Sequence, residues 1–155
     1  MPKQWITDRT EMEAILRECD VGSLATVCPD GAPYVVTVNY VYHAGKIYFH
    51  CALTGKKLDN IASDERVCFE THVMERIVRA HHAIDFGTRY RSVIVHGRAR
   101  QLDDPAAKRE VLMLITTRYA EGQPFEPPTE RQIATTAVVE IEIDSMTGKR
   151  NVDPS

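Results

Sequence analysis

The hydrophobic positions near the start of the chain predict a short helix followed by a strand. Met12, Ile15 and Leu16 recur at i, i+3, i+4 spacing, which predicts an amphipathic helix over residues 8–19. The apolar run that comes next predicts a strand over residues 23–27. A turn that contains proline and glycine then separates this strand from the next apolar segment.

Two further strands follow with tight turns between them. Residues 33–42 alternate between two faces, and Val36, Val38 and Tyr40 share one of them. A glycine-containing turn leads to a third strand, predicted over residues 46–51. Short turns between consecutive strands favour an antiparallel meander.

The second half of the chain predicts two helices and three more strands. The helices are predicted over residues 55–63 and 103–119. The strands are predicted over residues 66–71, 90–100 and 135–143. Gly97 inside a strand predicts a bulge or a close backbone approach, and residues 74–88 show no clear periodicity. Six strands with peripheral helices favour a closed or nearly closed antiparallel β-barrel, in one domain over residues 1–155.

Composition narrows the function classes. The 155 residues carry 19 Lys plus Arg and 22 Asp plus Glu, a net charge of −3, which argues against general nucleic-acid binding. No apolar run approaches the ~20 residues that a membrane span needs, and the first residues lack the apolar segment of a signal peptide. We therefore expect a soluble cytoplasmic protein whose four cysteines are free thiols, since none forms a Cys-x-x-Cys pair.

The segment between the third strand and the second helix carries the strongest chemical signal. Helix N-termini present unpaired N–H groups that bind anions. Here Lys56 and Lys57 add charge, Thr54 adds a hydroxyl, and Gly55 permits close backbone approach. These residues predict a phosphate site. They also fit a solvated turn whose lysines keep the chain soluble, and spacing alone does not decide between the two interpretations.

Three nearby polar residues each have a ligand-binding and a structural interpretation. His50 fits a base, a metal ligand or a hydrogen-bonding contact, and equally a polar side chain at the rim of the barrel. Asn39 fits a contact to a planar ligand or the end of a strand. Cys51 fits a reactive thiol near a lysine or a small buried side chain.

The residues around position 90 also have both a ligand-binding and a structural interpretation. Tyr90 and Arg91 fit a clamp on a ligand, or an ordinary strand tyrosine and a solvated arginine. His81 and His82 are adjacent, so on an extended chain they point in opposite directions. With no carboxylate or cysteine at ligand spacing, no metal site is predicted.

Several stretches together resemble one known family. They are GSLATV at 22–27, GAPYVVTVNYVY at 31–42, KIYFHCALTGKKLDNI at 46–61 and RVCFE at 66–70. This combination resembles the pyridoxamine 5′-phosphate oxidase-like, FMN-binding split-barrel superfamily. YRSVIVHGRA at 90–99 and IEIDSMTGK at 141–149 are similar to its nitroimidazole-resistance (NimA-like) branch. The similarity runs from about residue 8 to residue 150.

The resemblance implies a fold and a cofactor. The implied fold is a mainly β, six-stranded antiparallel split β-barrel that forms a homodimer, with FMN in a groove between the two subunits. By analogy, Lys56 and Lys57 hold the FMN phosphate. The other residues implied to bind FMN are His50, Cys51 and Thr54 at the approach, Val38, Asn39 and Tyr40 beside the isoalloxazine ring, and Tyr90, Arg91 and Ser92 of the partner subunit. No catalytic residue is assigned.

The resemblance also implies an activity. A NimA-like protein is expected to be an FMN-dependent oxidoreductase that passes electrons from NADH or NADPH to a small acceptor such as a nitroaromatic compound. The sequence lacks the C-terminal Arg and His contacts of pyridoxamine 5′-phosphate oxidases proper, so vitamin B6 oxidation is not expected. The superfamily also binds the deazaflavin F420 or haem, and haem would need His50 or His96 as an axial ligand. A flavin-, F420- or haem-binding module without FMN-dependent turnover is therefore the alternative.

Overall fold

A computed structural model describes residues 4–153 as one antiparallel sheet with helices packed around it. Residues 1–3 and 154–155 of the predicted domain lie outside the described residues. In chain order the elements are β1 (Gln4–Ile6), α1 (Arg9–Glu18), β2 (Val21–Val27), β3 (Pro33–Asn39), β4 (Val41–His43), β5 (Lys46–Ala52), α2 (Lys56–Ser63), β6 (Arg66–Val78), β7 (Gly87–Gln101), α3 (Pro105–Ala120), α4 (Glu130–Ala134) and β8 (Thr136–Asn151). The predicted class, mainly β with peripheral helices, is confirmed.

The longer helices begin where the sequence provides their caps. Asp8 accepts a hydrogen bond from the Thr10 N–H at the start of α1, at 3.0 Å. Asp104 accepts one from the Ala107 N–H at the start of α3, at 3.1 Å. All three predicted helices are confirmed, with bounds that agree to within two residues.

The sheet is closed by the chain itself. The strands are hydrogen-bonded in the order β3-β2-β6-β7-β8-β5-β4, so the two ends of this order, β3 and β4, are consecutive in sequence. Tyr40 joins them; its side chain is fully buried and its hydroxyl donates to the Leu16 carbonyl at 2.6 Å. The single strand predicted over residues 33–42 is therefore two strands, because its first part pairs with β2 and its last part with β5.

Three strands are longer than the pattern predicts. β6 and β7 form a hairpin that includes both ends of the segment without periodicity, residues 74–78 and 87–88, and leaves residues 79–86 at its tip. A register shift between Met74 and Arg76 interrupts the alternation there, and Met74 and Ile77 are both more than half exposed. β8 likewise continues beyond its predicted end, where it pairs with the first half of β7 and with β1. The division at Tyr40 and the short strand β1, which the pattern does not predict, give eight strands within residues 4–153, where the pattern predicts six.

Gly97 marks a bulge between the two halves of the β7–β8 pair. The register shifts between His96 and Gly97, which confirms the predicted irregularity. A Cβ atom at Gly97 would overlap the carbonyl oxygen of Glu142. A larger residue therefore does not fit here unless the backbone moves.

Two hydrophobic clusters support the region in which the candidate site lies. The larger cluster fills the barrel and packs α1 against it, with Tyr40, Phe49 and Phe69 fully buried. The smaller cluster lies between α3, α4 and the outer face of β8, and it includes Val138. Phe49 of β5 faces the first cluster and Tyr48 packs against the second. β5 is therefore held on both faces before the chain turns into α2.

Candidate cofactor-binding site

The turn between β5 and α2 contains the predicted phosphate residues. Gly55 is the N-cap of α2, with φ 154° and ψ 160°, a backbone conformation that side chains rarely adopt. Lys56 and Lys57 are the first two residues of the helix, and Thr54 just before the turn is exposed. The structure thus brings these residues together at a helix N-terminus, where backbone N–H groups are available to an anion.

The two lysines carry charge that is not neutralised by the residues that the structure describes. Neither Lys56 nor Lys57 forms a salt bridge within residues 4–153, and Asp59 in the first turn of α2 is exposed and pairs with neither. The Lys56 ammonium instead lies 4.7 Å from the centroid of the Tyr34 ring. A dianionic phosphate is complementary to this pair of charges and to the positive end of the helix dipole.

His50 and Cys51 are adjacent on β5 and point to opposite faces of the sheet. Cys51 packs against the barrel core, whereas His50 lies opposite Val138 of the outer cluster. The Nδ1 atom of His50 is buried and has no hydrogen-bond partner among the described residues. Burial lowers the pKa of His50, so the ring is neutral near pH 7. A neutral ring with an unpartnered nitrogen is suited to contact a ligand.

The Cys51 thiol fits a structural role better than a reactive one. Burial raises its pKa, and the nearby Lys57 ammonium opposes this effect without reversing it. The thiol is therefore protonated near pH 7, and a thiol is a much weaker nucleophile than a thiolate. Of the two interpretations from the sequence, the packing role agrees better with the structure, in which Cys51 is partly buried against the core.

At the end of β3, side chains point alternately into the core and into solvent. The side chains of Val38 and Tyr40 are buried in the barrel, so their predicted contact with a flavin is limited to main-chain atoms. Asn39 is exposed and shares the outer row of β3 with Val35 and Thr37. At ~3.3 Å per residue, the row from Val35 to Asn39 is about 13 Å long. Its first member, Val35, follows Tyr34 along the strand, and the Tyr34 ring, which contacts Lys56, belongs to the opposite row.

Tyr90, Arg91 and Ser92 lie far from the lysines of the same chain. Ala99 borders the same cleft as α2, whereas Ser92 is about 23 Å away from it along β7, at ~3.3 Å per residue. Arg91 forms ion pairs with two glutamates of its own chain, at 3.0 and 2.7 Å. These three residues reach the lysines only if a second subunit supplies them, as the resemblance implies.

Two polar residues that sequence reasoning missed hold α2 in place. Asn60 and Thr26 are almost fully buried, and the Nδ2 atom of Asn60 donates to Oγ1 of Thr26 at 2.9 Å. The sequence does contain a signal for this contact. Asn60 lies between Leu58 and Ile61 on the apolar side of α2, where a polar group needs a partner.

Comparison with known proteins assigns this chain to a family. The family model described as pyridoxamine 5′-phosphate oxidase matches residues 8–150, nearly the whole chain. The chain belongs to the pyridoxamine 5′-phosphate oxidase family. The resemblance found in the sequence is thereby confirmed. None of the curated proteins matches the chain significantly in sequence.

Solved structures similar to this pyridoxamine 5′-phosphate oxidase family member include one named for antibiotic resistance and two named for the cofactors they bind. A candidate 5-nitroimidazole antibiotic resistance protein from Bacteroides thetaiotaomicron is 23% identical, with a TM-score of 0.85 over 96% of this chain and 87% of its own. A flavocytochrome from Azotobacter vinelandii is 23% identical, with a TM-score of 0.85 over 97% of this chain and 70% of its own. An FAD- and haem-binding protein from Mycobacterium smegmatis is 20% identical, with a TM-score of 0.86 over 97% and 76%. These likenesses establish the fold.

The described part of this family member contains neither a cluster of metal-binding side chains nor a membrane-spanning helix. Residues 4–153 contain no group of three or more His, Cys, Asp or Glu side chains that could hold a metal ion. None of the helices in these residues is long and apolar enough to cross a membrane.

The buried imidazole of His50 predicts a pH dependence of stability in the cofactor-free protein. Burial lowers its pKa below the ordinary value of 6.5, so below that pH the unfolded chain binds a proton that the folded chain does not. This contribution to the free energy of unfolding is fully present above about pH 6.5 and is lost as the pH falls toward the folded pKa. Urea unfolding over this range should show the decline in the wild type and a weaker decline in His50→Gln.

The exposed His43 provides the control for this experiment. His43→Gln should keep the pH dependence of the wild type. If the free energy of unfolding declines equally with falling pH in the wild type and in His50→Gln, the buried imidazole is not responsible for the decline.

Proposed function

We propose that this protein binds FMN, with the phosphate at Lys56 and Lys57, and passes electrons from NADH or NADPH to a small acceptor such as a nitroaromatic compound. One observation carries the proposal: two lysines without carboxylate partners in the described chain stand at the glycine-capped start of α2. FMN, when bound, supplies the hydride and electron transfer, which amino-acid side chains do not provide. The role of the protein is then to bind, orient and enclose the cofactor.

The start of α2 suits a phosphate better than a neutral group. Each charge-assisted contact from a lysine to a phosphate contributes about 1.5–3 kcal/mol. A Cβ atom placed on Gly55 would meet no other atom within 4 Å, so the space beside this turn is open. A phosphate can therefore approach the first N–H groups of the helix while both ammonium groups reach it.

The outer row of β3 suits a flat ring that extends away from the phosphate. Val35 offers an apolar surface that is 63% exposed, and Asn39 ends the row with an amide. In this proposal the Asn39 amide and the main chain of Val38 and Tyr40 contact the polar edge of the isoalloxazine ring. The unpartnered Nδ1 atom of His50 on β5 supplies a further polar contact to cofactor or substrate.

We further propose a homodimer with FMN between the subunits. One face of β2, β3 and β7 exposes the apolar side chains of Val21, Val35 and Ile94, which are 52%, 63% and 39% accessible. A second copy packed on this face would remove them from water, which is favourable at about 25 cal/mol per Å² of apolar surface. It would also bring residues 90–92 of the partner subunit toward the lysine pair.

The same proposal includes a cytoplasmic location and a small-molecule substrate. Cys19, Cys28, Cys51 and Cys68 are all free thiols, which suits a reducing compartment. The net charge of −3 offers no general basis for binding nucleic acid.

A cofactor-binding module without FMN-dependent turnover is the second candidate, and His50 is the observation that favours it. A neutral imidazole with a free nitrogen is a common axial ligand of haem. His50 pairs in register with Val138 and His96 with Ser145, so the two histidines of one chain are about 23 Å apart along β8. One chain therefore cannot place both on the same iron. F420 also carries a phosphate and would use the same lysines, so the absorption spectrum of the bound cofactor distinguishes these cases.

The phosphate assignment predicts that Lys56→Ala combined with Lys57→Ala selectively weakens FMN. Loss of two charge-assisted contacts should raise the Kd for FMN by at least about 100-fold. Riboflavin lacks the phosphate, so its Kd should stay unchanged. Quenching of flavin fluorescence measures both values, and Arg131→Ala on α4, which also removes an exposed positive charge, is the control. An unchanged Kd for FMN, or an equal loss for riboflavin, would rule out the assignment.

The proposed electron transfer predicts acceptor-dependent oxidation of NADH or NADPH. The FMN-loaded protein under anaerobic conditions should oxidise the nicotinamide faster when a nitroaromatic compound is added. The double lysine variant should lose this rate at FMN concentrations that saturate only the wild type. Nicotinamide absorbance follows the reaction. Bound flavin without any acceptor-stimulated oxidation would favour the binding module instead.

The proposed dimer predicts a mass in light scattering of twice that of the chain. Val35→Arg places a charge on the exposed sheet face and should shift the protein toward the monomer and weaken FMN binding together. Thr117→Arg, on the exposed side of α3, is the matched control and should remain dimeric. A monomeric wild type that binds FMN tightly would contradict this part of the proposal.

A further inference from the structure

The buried side chain of Asn60 ties α2 to the barrel through polar contacts. Asn60 is 1% exposed and Thr26 is 2% exposed. The Nδ2 atom of Asn60 donates to Oγ1 of Thr26 at 2.9 Å and also lies 3.6 Å from Sγ of Cys28. An unpaired amide or hydroxyl at this depth would be unfavourable, so each group depends on the other.

The position of Asn60 on α2 links this contact to the lysine pair. Asn60 follows Lys56 by four residues and Lys57 by three, so all three lie along the same side of the helix. α2 has only eight residues, and its other buried side chains, Leu58 and Ile61, are apolar. Apolar packing is not directional and tolerates a small rotation or slide, whereas a hydrogen bond does not. The amide is therefore the contact that sets the rotation of the helix.

On the barrel side, the residue that bonds to Asn60 is paired with the residue that contacts Lys56. Thr26 of β2 pairs in register with Tyr34 of β3. Thr26 accepts the hydrogen bond from Asn60, and the Tyr34 ring lies under the Lys56 ammonium at 4.7 Å. Two neighbouring residues of one strand pair thus hold α2 at two points one helical turn apart.

We infer that Asn60 is a positioning residue for the phosphate site, acting through Thr26 to set where α2 presents Lys56 and Lys57. This inference rests on the proposed function. Asn60 does not touch the phosphate itself, since its side chain points into the barrel wall and is fully enclosed. Its effect should therefore appear in how well the lysines meet the phosphate and not in contacts with the flavin ring.

The test compares FMN with riboflavin in a double-mutant cycle. The variants are Asn60→Leu, Thr26→Val, which keeps the shape of the side chain, and the two combined. The ratio of the riboflavin Kd to the FMN Kd isolates the phosphate contribution, because the two ligands share the ring. Each single variant should lower this ratio by about tenfold, the loss of roughly one charge-assisted contact. The double variant should lower it no further than the larger single effect, since both remove the same bond.

A control variant separates positioning from general destabilisation. Ile61→Val removes one methylene from the same side of the same helix, so it should lower the unfolding midpoint and leave the ratio unchanged. If Asn60→Leu fails to fold, Thr26→Val alone carries the test.

The outcomes of this experiment distinguish failure of the positioning role of Asn60 from failure of the proposed function. A wild-type ratio near one would mean that the phosphate is not recognised, which overturns the proposed function. A high wild-type ratio that persists in Asn60→Leu and Thr26→Val would overturn only the positioning role. If the ratio also falls in Ile61→Val, any loosening of α2 is enough to weaken phosphate binding. That result would also overturn the positioning role of Asn60.

Discussion

Tyr40 connects the two ends of the sheet and places a phenol ring inside the barrel where they meet. Its hydroxyl donates to the Leu16 carbonyl, so this polar group keeps a hydrogen bond after burial. Burial raises the pKa of the hydroxyl, and the group stays neutral. Because side chains alternate along a strand, an inward Tyr40 requires Val38 to face inward and Asn39 to face outward. The exposed row of β3 that we assign to the cofactor is thus a consequence of the closure of the barrel.

The charged side chains that the structure describes fall into two groups, those that are paired within the chain and those that are free to bind a ligand. Most arginines in residues 4–153 form ion pairs with carboxylates of their own chain. Glu140 illustrates how strong such pairing is: burial would raise its pKa, but hydrogen bonds from Lys46 and Arg100 outweigh burial and lower it. Lys56 and Lys57 have no such partner within these residues. A structural role explains the paired charges, and it leaves the two lysines unexplained.

Local signals in the sequence were sufficient wherever the chain makes local contacts. The caps at Asp8 and Asp104 lie within a few residues of the groups they bind, and the pattern located both helices. The break at Tyr40 was not visible, because alternation continues unchanged while the pairing partner switches from β2 to β5. The β6–β7 hairpin was missed for another reason: Met74 and Ile77 are exposed, so that part of the hairpin lacks the inside–outside contrast on which the pattern depends.

In the candidate site, too, the sequence pattern locates only the features that depend on neighbouring residues. The lysines and Gly55 are contiguous in sequence, and the pattern found them. Asn60 and Thr26 are far apart in sequence and meet only because α2 folds back on β2, so no spacing rule joins them. The inward side chains of Val38 and Tyr40 likewise follow from closure and not from the residue types.

The fold by itself leaves the cofactor open. Proteins about 20% identical to this one share the barrel with TM-scores near 0.85, and they include a flavocytochrome, an FAD- and haem-binding protein and a protein named only for antibiotic resistance. This is physically reasonable, because the residues that fill the barrel, such as Phe49 and Phe69, are fully enclosed and touch no ligand. Cofactor preference must then depend on exposed or half-buried side chains that the barrel does not need. In this chain those are the lysines at α2, Asn39 on β3 and the unpartnered ring of His50. Two lysines without carboxylate partners in the described residues, beside an open glycine turn, favour a phosphate-bearing cofactor, and the distance between His50 and His96 prevents one chain from placing both on the same iron.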